Sequence, residues 1–209
     1  MTRPALRGVS HGLAALACLP GAWALFHHAR VGQSQLAALI YMLGIFGIFV
    51  TSAVYHRVEW TEEGLARMRR LDHGMIYFGI AGFYTPFCFC ALTPAHGQVM
   101  FLLAWFGAAA GVLRVIVWSY APRWVAVGSY ALQACLALPF LGEMLANVGP
   151  WGNVLMWTGN AVVGLGAMCY AAGKPDPWPG VFGHHEIFHL TVVVVAACYY
   201  GTAWMLVGG

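Results

Sequence analysis

The sequence predicts an all-α integral membrane protein: a seven-transmembrane helix bundle with its N-terminus in the cytoplasm and its C-terminus outside. Three observations carry that expectation. The 209 residues are 61% hydrophobic and only 8% charged, against about 25% charged residues in a soluble domain. Seven apolar stretches approach the ~20 residues that a helix needs to cross a bilayer. Nine of the ten Lys and Arg residues fall on one side of the resulting topology. At this length a single domain, residues 1–209, is expected.

The first stretch, Val9–His27, lacks a small-residue cleavage site and is followed by further spans, so it reads as a retained helix. The second, Leu36–His56, ends on Ser52-Ala53-Val54-Tyr55-His56, before a break at Arg57–Arg70. The third, Leu71–Leu92, opens with Asp72 and His73. The fourth, Gln98–Trp118, follows the break Thr93-Pro94-Ala95-His96-Gly97. The fifth, Val125–Leu145, follows Ala121-Pro122-Arg123, and the sixth, Trp151–Ala172, follows Gly149-Pro150. The loop Gly173–Gly183 leads to the seventh, His185–Val207.

Seven spans put the N-terminal tail and the second, fourth and sixth connections on one side. That side holds Arg3, Arg7, Arg57, Arg67, Arg69, Arg70, Arg114, Arg123 and Lys174, and the other holds only Arg30. Positive residues stay in the cytoplasm, which fixes the orientation. The net charge of +3 is therefore a topology signal and gives no indication of nucleic-acid binding. Gly44, Gly47, Gly107, Gly111, Gly164 and Gly166 read as close-packing positions. Trp118, Tyr120, Trp124, Trp151 and Trp178 read as interfacial anchors. The six cysteines all lie in apolar stretches and read as small buried hydrophobes, not a disulfide framework.

The topology then gathers the polar residues. His56, Asp72, His185 and His189 come from three different spans, all at the cytoplasmic end. His185 and His189 are four apart and share a helix face. With His56 they make three imidazole donors, the number that a catalytic zinc commonly takes, leaving one position open. Such a zinc brings the pKa of its water to about 7. Asp72 is placed to orient that water or a ligand imidazole, and Ser52 lies one turn before His56 on the same face. A lone interfacial histidine usually pairs with headgroups or carbonyls. His11, His27, His28 and His96 are assigned that role, and His73 and His184 also stay outside the ligand set.

His185-Glu186-Ile187-Phe188-His189 also fits the H-E-x-x-H zinc protease pattern, with Glu186 as general base. Leu71-Asp72-His73-Gly74 superficially resembles the aspartate motif of intramembrane metalloproteases, but here it precedes the histidine pair, the reverse of that family's order. His56 has no task in that scheme. Glu186, one position after His185, also points about 100° from the ligand face.

Taken together, these residues resemble the hemolysin III group of the progestin and adipoQ receptor family. The matches are Ser52-x-x-x-His56, Asp72 leading its span, and Gly183-x-His185-Glu186-Ile187-Phe188-His189 opening the last. Gly82-Phe83-Tyr84-Thr85-Pro86, Lys174-Pro175-Asp176-Pro177-Trp178-Pro179 and Ser10-His11-Gly12 are similar to further family features. The resemblance covers nearly the whole chain. It implies a seven-helix bundle with zinc on His56, His185 and His189, Asp72 reaching the zinc through a water, and Ser52 lining the site. Adiponectin receptors share this core and are linked to ceramide hydrolysis; bacterial members are named for hemolysis and tied to membrane-lipid homeostasis. The expected protein is thus a zinc-dependent hydrolase of a membrane lipid amide or ester in a bacterial inner membrane. The alternative is a non-enzymatic sensor or pore-forming cytolysin with a structural zinc. One stretch, Arg3–Val9, departs from the acidic residue and Asn that many members carry before the Ser-His pair.

Overall fold

The computed structural model of the chain describes residues 4–209. Arg3, counted among the cytoplasmic-side cations, lies outside the described residues. The described residues form eight α-helices and one short 3-10 turn, with no β-strand beyond an isolated bridge between Trp178 and Phe182. The helices are α1 (Val9–His28), α2 (Gln33–Arg57), α3 (Glu62–Cys90), α4 (Pro94–Val117), α5 (Arg123–Cys135), α6 (Leu141–Asn147), α7 (Gly149–Ala172) and α8 (His184–Gly208).

Six helical segments are long and apolar enough to cross a membrane: α1, α2, α4, the Arg123–Asn147 unit containing α5 and α6, α7 and α8. Their outward faces carry exposed Leu13, Leu16, Leu19 and Trp23 on α1, and Phe106, Leu113 and Val117 on α4. Such patches are a liability in water but are the natural surface against lipid tails. The apolar part of α3 is diluted by Asp72, His73, Tyr77, Tyr84 and Pro86.

Two elements differ from the sequence reading. The break expected at Arg57–Arg70 is mostly helical, because α3 starts at Glu62. The Thr61 hydroxyl accepts the Gly64 N–H at 3.2 Å, and Glu62 and Glu63 occupy the first turn, where a carboxylate meets the positive end of the helix dipole. Asp72 therefore sits almost three turns inside α3 instead of at its start. The fifth span is interrupted: α5 stops at Cys135 and a 3-10 turn covers Leu138–Phe140. Pro139 has no N–H to donate and its ring crowds the carbonyl four residues back, which breaks the α-helical ladder there.

Packing runs around the bundle from α1 to α2, α3, α4, α5 and α7, and α8 closes it by touching α1, α2, α3 and α7. The crossing of α2 on α3 is close. A Cβ at Gly44 would lie 3.3 Å from the Phe78 carbonyl oxygen and 3.5 Å from Gly79 Cα, so the two backbones are in contact. Gly166 likewise admits Thr191 of α8. Gly164 departs from the packing role expected of it: nothing lies within 4 Å of where its Cβ would be, and it lines an internal cavity.

Candidate metal centre and its cavity

Two helices deliver the histidines. His56 closes α2, and His185 and His189 occupy the first two turns of α8. One ligand nitrogen from each lies within 4.8 Å of the others, and His56 and His189 are buried. His185 Nε2 is 3.3 Å from His56 Nε2. Two nitrogens about 2.0–2.1 Å from one tetrahedral ion sit roughly 3.3 Å apart, so this pair has the spacing of a chelate. The same contact suits a hydrogen bond when one of the two rings carries its proton on Nε2. His189 Nδ1 is buried with no hydrogen-bond partner among the described residues. A buried unpaired nitrogen in a cluster of imidazoles fits a metal ligand set. The three-histidine group could hold a metal ion.

Asp72 of α3 lines the same cavities as His185. Its carboxylate accepts a hydrogen bond from the buried Ser52 hydroxyl, one turn before His56. Ser52, Asp72, His185 and His189 all line a cavity of about 450 Å³ that runs into the bundle between Ile48, Phe83, Met156 and Val163. That volume is in the range of small-molecule pockets, roughly 300–1,000 Å³.

His11 is the residue that sequence reasoning missed. Set aside as a lone interfacial histidine, it is 3% exposed and stacks on His189, with ring centroids 4.0 Å apart and planes 4° from parallel. Its Nε2–H donates to the His189 carbonyl at 3.1 Å. The available signal was depth: His11 stands at the third position of α1, at the same end of the bundle as the ligand set. The other histidines pair elsewhere. His28 stacks on Trp204, His27 packs on Trp23 and His96 meets Glu143. His73 donates from Nδ1 to the Arg69 carbonyl at 2.7 Å. Asp176 accepts from the His184 ring at 3.0 Å and from its backbone N–H at 3.2 Å. These two bonds, the ring contact foremost, hold the Asp176 carboxyl below its usual range.

Glu186 is turned away from both cavity and cluster. It is buried, its Oε2 accepts the Gly183 N–H at 2.8 Å, and its Oε1 accepts from Arg7 Nε. This is half of a capping box, the other half being unavailable because Gly183 has no side chain. The stretch before α1 that departs from the family's pattern thus supplies a cation for α8. The same segment is tied down by Ala5 N–H donating to the Gly180 carbonyl and by Arg57 donating to the Ala5 carbonyl. Gly8 makes the approach feasible: its φ is 77°, and a Cβ there would fall 2.8 Å from His56 Cβ.

Comparison with known proteins matches residues 1–200 to a family model described as Haemolysin-III related. Hemolysin-3 of Bacillus cereus is 25% identical over 88% of this chain and 83% of its own length. A Hemolysin-3 homolog of Bacillus subtilis (strain 168) is 22% identical over 88% and 85%. The human monocyte to macrophage differentiation factor is 25% identical over 81% of this chain and 70% of its own. The chain belongs to the haemolysin III-related family, within the progestin and adipoQ receptor grouping.

Proposed function

We infer that this protein is a zinc-dependent hydrolase of a lipid amide or ester, working in membrane-lipid homeostasis. It is a single seven-span domain, residues 1–209, of a bacterial inner membrane, with its N-terminus in the cytoplasm and its C-terminus outside. The packing of α3 between α2 and α4 supports counting it as the seventh span. One observation carries the enzymatic reading: a largely apolar cavity inside the bundle meets the three-histidine group at Asp72 and Ser52.

His56, His185 and His189 would hold the ion. Three imidazoles suit zinc, and a three-ligand set with an open position is the catalytic pattern, whereas a structural site is closed by a fourth protein ligand. When bound, zinc supplies Lewis acidity toward a water or an acyl carbonyl oxygen. The chain supplies the rest. The apolar cavity takes an acyl chain and keeps bulk water out. The Ser52 hydroxyl fixes the Asp72 carboxylate by donating to it. Asp72 takes a proton from the attacking water and returns it to the leaving nitrogen or oxygen as the acyl C–N or C–O bond breaks. The protease reading loses its general base, because Glu186 is engaged by Arg7 and Gly183.

The relatives named Hemolysin-3 favour a second reading, membrane permeabilisation with zinc as a clasp between α2 and α8. Fatty-acid release from ceramide-like and phospholipid substrates in liposomes separates the two. Hydrolysis by zinc-loaded protein that is lost in Asp72→Asn supports the enzyme. Permeabilisation with full zinc and no hydrolysis of any of these lipids overturns it.

A further inference from the structure

A second cavity of about 340 Å³ adjoins the first, sharing Asp72, His73, Tyr170 and His185 with it. Its walls differ in kind. Four arginines from four elements line it: Arg7 before α1, Arg69 of α3, Arg114 of α4 and Arg123 of α5. Arg7 is matched by Glu186. Of the other residues lining this cavity only Asp72 is acidic. Two positive charges are therefore left in excess. The guanidiniums of Arg69, Arg114 and Arg123 are held in place by aromatic rings and hydroxyls instead of carboxylates. Arg69 lies 4.4 Å from the Tyr120 ring centroid and Arg123 5.5 Å from that of Tyr170. Arg114 donates to the Tyr77 and Ser129 hydroxyls at 2.5 and 3.2 Å. Nε of both Arg69 and Arg114 is buried without a hydrogen-bond partner among the described residues.

Converging guanidiniums with spare donors recognise oxyanions, phosphate above all. A phosphate monoester carries about −1.5 to −2 charges near neutrality, which matches the excess here. A zwitterionic diester headgroup has no net charge to offer and brings its own cation among the arginines. The geometry points to a headgroup site: the arginine cavity takes the phosphate monoester of an acyl amphiphile whose chain lies in the apolar cavity, so that the linkage between them falls at Asp72 and the histidines. This assignment rests on the lipid hydrolase reading for the chemistry, but the binding stands apart from it.

Calorimetry on zinc-loaded protein in uncharged detergent, using lysophosphatidic acid, lysophosphatidylcholine, a monoacylglycerol and inorganic phosphate, tests it. Lysophosphatidic acid should bind at least tenfold more tightly than the other three, and its affinity should fall as salt is raised. Arg123→Gln, at an exposed position, should weaken lysophosphatidic acid about tenfold and leave lysophosphatidylcholine within twofold. Arg114→Gln should do the same, with zinc content and thermal midpoint confirming that each variant is folded. Gly164→Leu, which narrows the apolar cavity, should weaken lysophosphatidic acid and leave inorganic phosphate unchanged. Inorganic phosphate binding as tightly as the lysolipid, or indifference of the lysolipid to both arginine substitutions, overturns the headgroup site. Arginine-dependent binding without turnover of any lipid retains the site and removes the hydrolase. Turnover of lipid amides by protein whose lysophosphatidic acid affinity is indifferent to both arginine substitutions does the reverse.

Discussion

Glu186→Gln separates a structural role for this residue from a catalytic one. The side chain is 4% exposed and accepts from two donors, the Gly183 N–H and the Arg7 guanidinium. Glutamine keeps one acceptor oxygen but turns its NH2 toward the other donor. The loss is one charge-assisted hydrogen bond, typically ~1.5–3 kcal/mol. Arg7 is 21% exposed, so water partly replaces its partner, and the ~3–5 kcal/mol cost of stranding a fully buried ion does not apply in full. The expected destabilisation is about 2 kcal/mol. Arg7→Gln should cost a similar amount, and the double variant little more than either alone, because both remove the same interaction. Unfolding in detergent measures the three stabilities, with zinc content and lipid hydrolysis per folded molecule measured alongside. Zinc should remain bound and hydrolysis should stay within about threefold, since Glu186 lines neither cavity. Unchanged stability in Glu186→Gln with abolished turnover would refute this account and reinstate Glu186 as a general base.

Asp72→Asn should keep zinc and lose roughly 10–100-fold in hydrolysis, because an amide keeps the contact with Ser52 but cannot take a proton; retained turnover contradicts the role given to the carboxylate. Gly8→Ala forces a side chain into left-handed backbone against His56 and should cost about 1–2 kcal/mol while loosening zinc; wild-type stability and zinc affinity would show that the α1 start does not brace His56. A periplasm-active enzyme fused after Gly209 should work and a cytoplasm-only fluorescent reporter should stay dark; the opposite pattern overturns the orientation drawn from the Lys and Arg count.

The sequence made the helical layout legible because membrane residence is written in composition and every span but one is a long apolar run. Boundaries failed where local chemistry outweighed hydropathy. Thr61 with Glu62 and Glu63 starts α3 well before its apolar part, and Pro139 breaks the fifth span where the apolar run continues. The cluster of His56, His185 and His189 was legible because a four-residue spacing fixes one helix face and the order of the apolar runs brings the end of α2 and the start of α8 to one side. His11 was not, since a single histidine carries no spacing. Its stacking on His189 depends on how α1 crosses α8, which periodicity does not encode. Nor could spacing reveal that Glu186 reaches back to Arg7, 179 residues away in the chain. The arginines now seen around one cavity were read only as a topology signal, because four separate elements supply them.

The most direct test of the metal centre is the zinc content of purified protein, measured by elemental analysis for the wild type, His56→Ala, His185→Ala and His189→Ala. The wild type should carry one zinc per chain and each variant should lose it, because the remaining two imidazoles hold the ion far less firmly. His28→Ala and His96→Ala, whose rings pack on Trp204 and pair with Glu143, should keep it. Full zinc in all three cluster variants, or none in the wild type after zinc loading, would contradict the three-histidine centre.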